Sequence, residues 1–357
     1  MSLFGGKKIN AFGLDVSDIS VKIMQLKKDG KKIRLQAYTD QPLADKVISN
    51  HMIMNERRLA EDISRAMSVA KKVDTRYVVC SVPEVKSFVR SITLPKMSES
   101  EIEGAIPYQL ESDIPIPVDQ VYLDWQMTRQ TANDMEFLVT AAPKDYIDTL
   151  VSSLHMAKLK PVAMELESQA TARAVISLEY KDKNVLIVDL STIQTSFVIV
   201  KKGIIEYTSS IPIAGNSFTE SIARSLGVSA DQAEKIKRGV GLSADQKNIR
   251  SLLLPIVDNI VDEMKNVLHF FEEHVAGNTS IDMILLCGGS SRLIGMADYI
   301  SARLNLGTAG QMGPIVLANP WINMSGLDKA NPMSAEESLG YVTALGLALR
   351  GVDYEIN

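Results

Sequence analysis

Hydrophobic and polar positions follow two different periods along this chain, and each change of period marks an element. Residues 9–16 and 19–26 are apolar runs around a polar stretch at Asp15, Ser17, Asp18 and Ser20, which predicts two strands joined by a turn. Residues 33–38 add a third strand. From Asn55 to Val73 the period lengthens, and Leu59, Ile63, Ala66, Met67 and Ala70 share one helical face. The run YVVCSV, Tyr77 to Val82, is continuously apolar and ends at Pro83, as a strand buried on both faces does. Strands, then helix, then strand predict an α/β layer.

The texture changes next. EVKSFVRSITLP, Glu84 to Pro95, alternates like a half-exposed strand, and Ser98 stands three positions before Glu101, a capping-box spacing that opens a helix. Pro107 predicts a kink or an end in that helix, and Pro115 and Pro117 predict extended chain. Two further strands, VYLDWQM and EFLVTAAP, complete a small inserted α+β subdomain over residues 80–146. A helix returns from Lys144, with Ile147, Leu150, Val151, Leu154 and Leu159 as its stripe. Strands recur across Val185–Tyr207, and ADQAEKIKRGVGL reads as a charged helix closed by glycine. Residues 255–275 predict a long amphipathic helix with Val257, Val261, Met264, Leu268, Phe271 and Val275 on one side and Pro255 in its first turn. Docking those six side chains would contribute on the order of 10 kcal/mol gross. The run DMILLCGGSSRLIGMADYIS predicts a strand, a glycine turn and a helix.

One pattern occurs twice, 174 positions apart. Phe12 and Leu14 precede Asp15 as Leu186 and Val188 precede Asp189. Ser17 and Ser191 follow two positions later. Val21, Ile23 and Leu26 correspond to Thr195, Phe197 and Val200, and Lys27–Lys28 to Lys201–Lys202; Gly30 and Gly203 then make the next turns. Two hairpins with an acid at one position predict a duplicated domain. If the halves face each other, both carboxylates point into one cleft, where they would hold a hydrated Mg²⁺ on nucleotide phosphates. Turn amides and hydroxyls would meet the phosphate oxygens. The third element, LLCGGSSRLIG, ends a strand at Cys287 and turns at Gly288–Gly289, which admits close approach by a ligand.

Composition narrows the picture. The chain has 357 residues, 46% of them apolar, enough for two domains with ordinary cores. A net charge of −5 with both signs interspersed leaves no concentrated basic face for nucleic acid. Cys80 and Cys287 lie in apolar runs and read as buried thiols of a reducing compartment. The four histidines show no metal spacing; His269 and His274 are five apart and do not share a helical face well. No run approaches the ~20 apolar residues of a membrane span. The opening MSLFGGKK lacks a signal-peptide core, and LRGVDYEIN at the end is not an amphipathic anchor. A cytoplasmic protein is expected.

In their order, the two acid hairpins and the glycine turn resemble the actin-like ATPase superfamily, which includes actin, the Hsp70 chaperones, sugar kinases, MreB and FtsA. The resemblance implies an α/β fold of two duplicated halves around a nucleotide cleft, with an FtsA-like inserted subdomain. It makes Asp15, Ser17, Asp18 and Lys22 the phosphate 1 loop, and Asp189, Ser191, Thr192 and Gln194 the phosphate 2 loop. Gly288, Gly289, Ser290 and Ser291 match the adenosine motif. Gly215, with Asn216 beside it, matches the glycine near the γ-phosphate, and Glu234 and Lys237 match residues that touch ribose and base. The implied cofactors are ATP and Mg²⁺, with Asp15 and Asp189 holding the metal through water.

Three stretches, FGLDVSDISVKIMQL, ITLPKMSESEIEGAIPYQLESDIPIPVDQVYLDWQ and NPMSAEESLGYVTALGLALR, resemble the PilM family of type IV pilus assembly, and the likeness covers nearly the whole chain. It implies an adaptor that binds the cytoplasmic N-terminal peptide of the inner-membrane protein PilN, and through it the pilus assembly complex. Membrane contact would be indirect, and self-association is a further expectation. The peptide would lie between the first core subdomain and the insert, with Ile102, Ile106, Leu110, Ile114 and Ile116 as one wall; the alternative is that these pack inside the insert. The implied subdomains are 8–79 plus 147–183 (1A), 80–146 (1C), 184–216 plus 281–357 (2A) and 217–280 (2B).

Ser17, Ser191 and Ser290 stand where the superfamily has glycine or another small residue. If the replaced glycines had positive φ, each of Ser17 and Ser191 would cost ~1–2 kcal/mol. ATP binding is the expectation, and hydrolysis is left open. Glu165 and Glu167 are candidates to position a water, against the reading that they are acids at a helix start. Two other readings stand beside the adaptor: an FtsA-like division filament protein and a small-molecule kinase of the same superfamily.

Overall fold

The computed structural model describes residues 7–30, 32–111, 114–275, 277, 279–304, 313–324, 332–352 and 354–356. Residues 1–6, most of the stretch read for a signal peptide, lie outside them. The chain divides into two units. The first takes the chain up to Arg173 and its end from Thr343; the second takes Ala174–Asn323 and Pro332–Val342.

The first unit opens with β1 (Lys7–Ile9), β2 (Phe12–Val16), β3 (Ser20–Asp29) and β4 (Lys32–Pro42). The short hairpin β5 (Ile48–Ser49) and β6 (Met52–Ile53), helix α1 (Glu56–Val69) and β7 (Tyr77–Val82) follow. After β8 (Phe88–Pro95), α2 (Glu99–Leu110), β9 (Val121–Gln130) and β10 (Asp134–Pro143), the chain returns through α3 (Lys144–Met156), β11 (Lys160–Leu166) and α4 (Glu167–Val175). One sheet has the order β11-β7-β2-β3-β4. β2, β7 and β11 run parallel to one another, and β3 is antiparallel to both β2 and β4. The parallel strands therefore end on one edge, where ligands bind in open α/β sheets. Leu59 and Ile63 of α1 and Leu150 and Leu154 of α3 cover one face of this sheet. Ala170 and Leu347 pack with Ala11 and Val79 in a second cluster, and burial on both faces explains the continuous apolar runs of β2 and β7.

The second unit comprises β12 (Asn184–Leu190), β13 (Thr195–Lys201), β14 (Ile204–Ile211), α5 (Gly215–Leu226), α6 (Ala230–Val240), α7 (Lys247–Phe270), β15 (Met283–Cys287), α8 (Met296–Arg303), β16 (Ile315–Leu317) and the single turn α9 (Ala335–Ser338). Its sheet order is β14-β13-β12-β15-β16, antiparallel in the first three and parallel in the last three. Phe218 and Ile222 of α5 and Leu253, Val257 and Met264 of α7 pack on Leu186, Val188 and Phe197 of the sheet.

The two sheets share one topology, and the repeat extends to the register. Ser17 N–H donates to the Ser20 carbonyl at 3.0 Å, and Ser191 N–H to the Gln194 carbonyl at 3.2 Å. A β-bulge between Gln25 and Leu26 recurs between Ile199 and Val200. Every one of these positions is matched at the 174-residue offset read from the sequence.

The chain ends with α10 (Val342–Gly351) and β17 (Tyr354–Ile356). Residues 281–357 were expected to stay in the second half, but from Thr343 they belong to the first unit. Gly346 shows why the helix docks there: a Cβ on it would lie 1.8 Å from the Ala170 carbonyl oxygen, so α10 crosses α4 at a distance only glycine permits.

The insert is the antiparallel sheet β8-β10-β9 with α2 on one face. Cys80–Val82, expected within it, instead end β7 in the core sheet. Ile102, Ile106 and Leu110 do not form an outer wall. They are buried against Ile92, Leu94, Phe137 and Val139 as the insert's own core. Pro107 neither ends α2 nor divides it, because that docked stripe carries the helix through to Leu110. Likewise α7 begins at Lys247, eight residues before Pro255, because Ile249 and Leu253 extend the buried stripe. The stripe itself is as read, with Val257, Val261, Met264, Leu268 and Phe271 buried.

Candidate functional site

In the first unit Asp15 closes β2 at the sheet edge, nearly buried, directly across the hairpin from Lys22. Ser81, at the end of β7, donates its hydroxyl to Asp15 Oδ1 at 3.0 Å and accepts the Val16 N–H at 3.1 Å. Burial pushes the Asp15 carboxyl above its usual pKa, Lys22 and Ser81 pull it down, and Asp40 adds to the rise. A cation beside it would relieve that burial penalty. Ser17 closes its own turn: its hydroxyl donates to the Ser20 carbonyl and accepts the Ser20 N–H, both at 3.1 Å. Neither Ser17 nor Ser191 has positive φ, so the strain expected from replacing glycine does not arise. Asp18 reaches sideways: its Oδ2 accepts the His51 N–H at 3.1 Å, and its Oδ1 lies 3.2 Å from His51 Nδ1.

The two candidate water-positioning acids separate. Glu165 is buried and held by Arg173 and Arg350, a structural cluster that ties β11, α4 and α10 together. It does not fit the catalytic role expected of it, because its carboxylate oxygens are occupied by guanidinium groups. Glu167 stands at the sheet edge, where its carboxylate accepts the Glu84 N–H at 3.4 Å; Glu84 in return accepts the Ser168 N–H at 3.4 Å.

In the second unit the predicted residues converge. Gly215 N–H donates to the Ser191 carbonyl at 3.1 Å, and Asn216 N–H to the Thr192 carbonyl at 2.8 Å. The start of α5 is thereby stitched to the hairpin turn. Ser191 Oγ donates to Asp189 Oδ1 at 3.1 Å, and Ser290 Oγ to the Ser191 carbonyl at 3.3 Å. Gly288, at φ +82°, sits against Asp189: a Cβ there would fall 2.3 Å from Asp189 Oδ1. Ser291 turns inward, donating to the Gly288 carbonyl at 2.7 Å, whereas a Cβ on Gly289 would meet open space. Gln194 is buried beside Ser196.

Lys237 and Glu234 lock this assembly from behind. Lys237 Nζ reaches the Gly215 carbonyl at 3.1 Å, Thr219 Oγ1 at 3.0 Å and Glu234 Oε2 at 2.6 Å, which engages all three ammonium protons. Burial opposes ionisation of Glu234, but hydrogen bonds from Lys237, Thr219 and Arg238 outweigh it and bring its pKa to about 2. A depressed carboxylate stabilises the fold above its unfolded pKa, and that stability is lost as pH falls through the folded value. Glu234→Gln should therefore lower the urea midpoint at pH 7, and its gap from the parent should shrink between about pH 4.5 and pH 2. A gap unchanged at pH 3 would contradict the assignment.

Ser81, Glu84 and Thr219 escaped the sequence reading. Only Ser81 left a signal there, as a polar residue near the end of an otherwise apolar strand.

A groove of about 680 Å³ lies in the first unit between the β5–β6 hairpin, the turn at 84–86, the segment 116–120 and the start of α3. Met52, Val85, Phe88, Ile116, Pro143 and Tyr146 make its apolar walls, with Lys86, Asp119 and Lys144 among the polar ones. Of the five isoleucine and leucine positions expected to line a peptide site, only Ile116 does; Ile114 packs beneath with Val121 and Ala141. Among the described residues, no helix is long and apolar enough to cross a membrane. No three or more His, Cys, Asp or Glu side chains gather there as a metal cage.

Two halves of one topology, each carrying an acid hairpin at the matching sheet edge, define an actin-like fold. The sequence matches the family described as type IV pilus assembly protein PilM over residues 13–352, and the chain belongs to that family. A solved PilM–PilN type IV pilus biogenesis complex is similar at 26% identity with a TM-score of 0.83, covering 97% of this chain and 99% of that one. EutJ from Carboxydothermus hydrogenoformans (14% identity, TM-score 0.56, covering 96% and 89%) and ADP-bound MreB5 of Spiroplasma citri (14%, 0.53, 93% and 94%) share the fold. FtsA of Neisseria meningitidis is 33% identical over 78 residues, which is 22% of this chain and 19% of that protein.

Proposed function

We propose that this protein is an actin-like adaptor of type IV pilus assembly. It holds the cytoplasmic N-terminal segment of a PilN-like inner-membrane protein in the groove beside Tyr146, and it binds ATP with Mg²⁺ at its acid hairpins and glycine turn. The observation that carries the reading is the full-length likeness to a PilM–PilN complex, joined to an apolar groove with half-exposed walls at Val85 and Met52. The protein then sits at the cytoplasmic face of the inner membrane through its partner. In this reading the first unit holds subdomains 1A and 1C with the closing helix, and the second holds 2A and 2B.

The residues present fit nucleotide and metal. Mg²⁺ keeps most of its waters and takes one or two carboxylates plus phosphates, and each unit supplies one nearly buried carboxylate. A bound nucleotide would supply phosphate oxygens to the metal. Asp15 in the first unit and Asp189 in the second would each offer a carboxylate to the waters of such a metal. Thr192 offers a hydroxyl at the second turn, where that of Ser191 is held by Asp189, and Gly289 leaves space for a flat ring. The first amides of α5 hold the turn rather than a phosphate. Glu167, whose carboxylate accepts the Glu84 N–H, is the acid assigned to orient an attacking water.

The adaptor reading is tested by calorimetric titration with a synthetic peptide of the PilN N-terminus. The parent should bind at micromolar concentration. Val85→Glu should weaken binding about tenfold or more, an apolar-to-charged change worth at least ~1.4 kcal/mol. Because Val85 is 46% exposed, the fold should be kept. No binding by the parent would overturn the reading.

A further inference from the structure

The β5–β6 hairpin is too short to hold its own shape. It pairs Ile48 with Ile53 and Ser49 with Met52, and two residues per strand do not make a stable ribbon in water. Its two-residue loop, Asn50 and His51, has φ of +50° and +59°. That is the primed-turn geometry which glycine fills most readily. Here two side-chain-bearing residues occupy it, so outside attachments must set its position.

Asp18 is such an attachment, and it grips the loop twice. One carboxylate oxygen takes the His51 N–H at 3.1 Å and the other lies 3.2 Å from the imidazole. Burial lowers the His51 pKa more than Asp18 raises it, with Lys86 adding to the fall, and the ring stays within 3.2 Å of the carboxylate. Asp18 belongs to the turn whose Ser17 N–H closes on the Ser20 carbonyl. The residue after His51 is Met52, a wall of the groove. Tyr146, another wall, is buried between the groove and the same edge; burial raises its hydroxyl pKa well above the usual value, with Cys80, Glu167, Asp18 and Asp15 adding to the rise.

We infer that Asp18 and His51, 33 residues apart in sequence, form a clasp that couples the Ser17–Ser20 turn to the groove, so that an anion seated at the turn strengthens binding of an apolar peptide in that groove. The inference rests on the adaptor reading. A phosphate that orders the turn orders Asp18, Asp18 orders the strained hairpin loop, and the loop fixes Met52. A peptide then meets a wall that is already ordered, and two ligands that each stabilise the same element bind cooperatively. By linkage the peptide must tighten nucleotide binding by the same factor.

The test measures the PilN-peptide Kd by calorimetry, with and without saturating ATP and Mg²⁺, in the parent, in His51→Gly and in Asp18→Ala. The parent should show peptide binding about fivefold tighter with nucleotide, within the usual span of coupling factors. His51→Gly suits the positive φ and keeps the loop's backbone N–H while removing the imidazole, so the fold and the nucleotide affinity should be kept while the factor falls below about twofold. Asp18→Ala removes both grips and should abolish the factor. Peptide binding by the parent that nucleotide leaves unchanged overturns the clasp alone, as does a full factor retained in both variants. No peptide binding at all overturns the adaptor reading and the clasp with it.

Discussion

Gly288→Ala should destabilise the second unit by about 3 kcal/mol, whereas Gly289→Ala, one residue on, should change stability by less than ~0.5 kcal/mol. Two costs add at Gly288. Its φ of +82° lies where a side chain is strained, at roughly 1–2 kcal/mol. The added methyl would also fall 2.3 Å from Asp189 Oδ1 and 2.5 Å from the Leu190 backbone, so β12 or the carboxylate must move, a further ~1–3 kcal/mol. Gly289 has ordinary φ and nothing within 4 Å of its would-be Cβ. The pair separates structure from binding. Gly288→Ala should lower the urea midpoint and weaken ATP binding together, because Asp189 is displaced. Gly289→Arg should keep the midpoint and lose ATP binding, because its side chain fills the open face. Equal midpoints for Gly288→Ala and Gly289→Ala would refute the packing argument, and ATP affinity untouched by Gly289→Arg would refute the placement of the nucleotide.

Glu165→Gln should lower stability by about 3 kcal/mol, the low end of the range for breaking a buried ion pair. The low end applies because Arg173 and Arg350 are each about one-third exposed and recover some hydration. For a unit of this size that corresponds to a fall in Tm of roughly 6–12 °C. The change is nearly isosteric, so the loss reports charge: two guanidinium groups would face an amide in place of a carboxylate. Arg173 also donates to the Gly346 carbonyl at 3.3 Å, so slackening this cluster loosens the α4–α10 crossing. An unshifted Tm, with reduced ATP turnover only, would restore Glu165 to the water-positioning role. Glu167→Gln is the control. If Glu167 orients the water, its loss should appear as reduced turnover.

Glu165 and Glu167 show where reading the sequence stops. Both are acids at a strand-to-helix junction, two residues apart, and nothing local separates them. The arginines that engage Glu165 lie 8 and 185 positions further along the chain, on α4 and α10. Ile102, Ile106 and Leu110 show the same limit from the packing side. An i, i+4, i+8 stripe states that one helical face is covered, but the covering surface, here β8 and β10, is remote in sequence. Both prolines misled for a related reason: the local penalty of proline within a helix was outweighed by a docked stripe that runs past it.

The sequence by itself determined the duplicated α/β plan, the acid at each hairpin and the glycine turn. Each of these is written in short-range periods and in a repeat whose 174-residue offset carries through to a β-bulge. It also determined the family, because three long stretches keep that family's pattern. Only the tertiary structure decided which unit receives α10, that Lys237 spends its three protons inside the second unit, that Ile116 rather than the α2 stripe faces a groove, and that Asp18 grips His51. Those outcomes depend on side chains brought together from distant parts of the chain, and the energy of such contacts leaves no local trace in the order of residues.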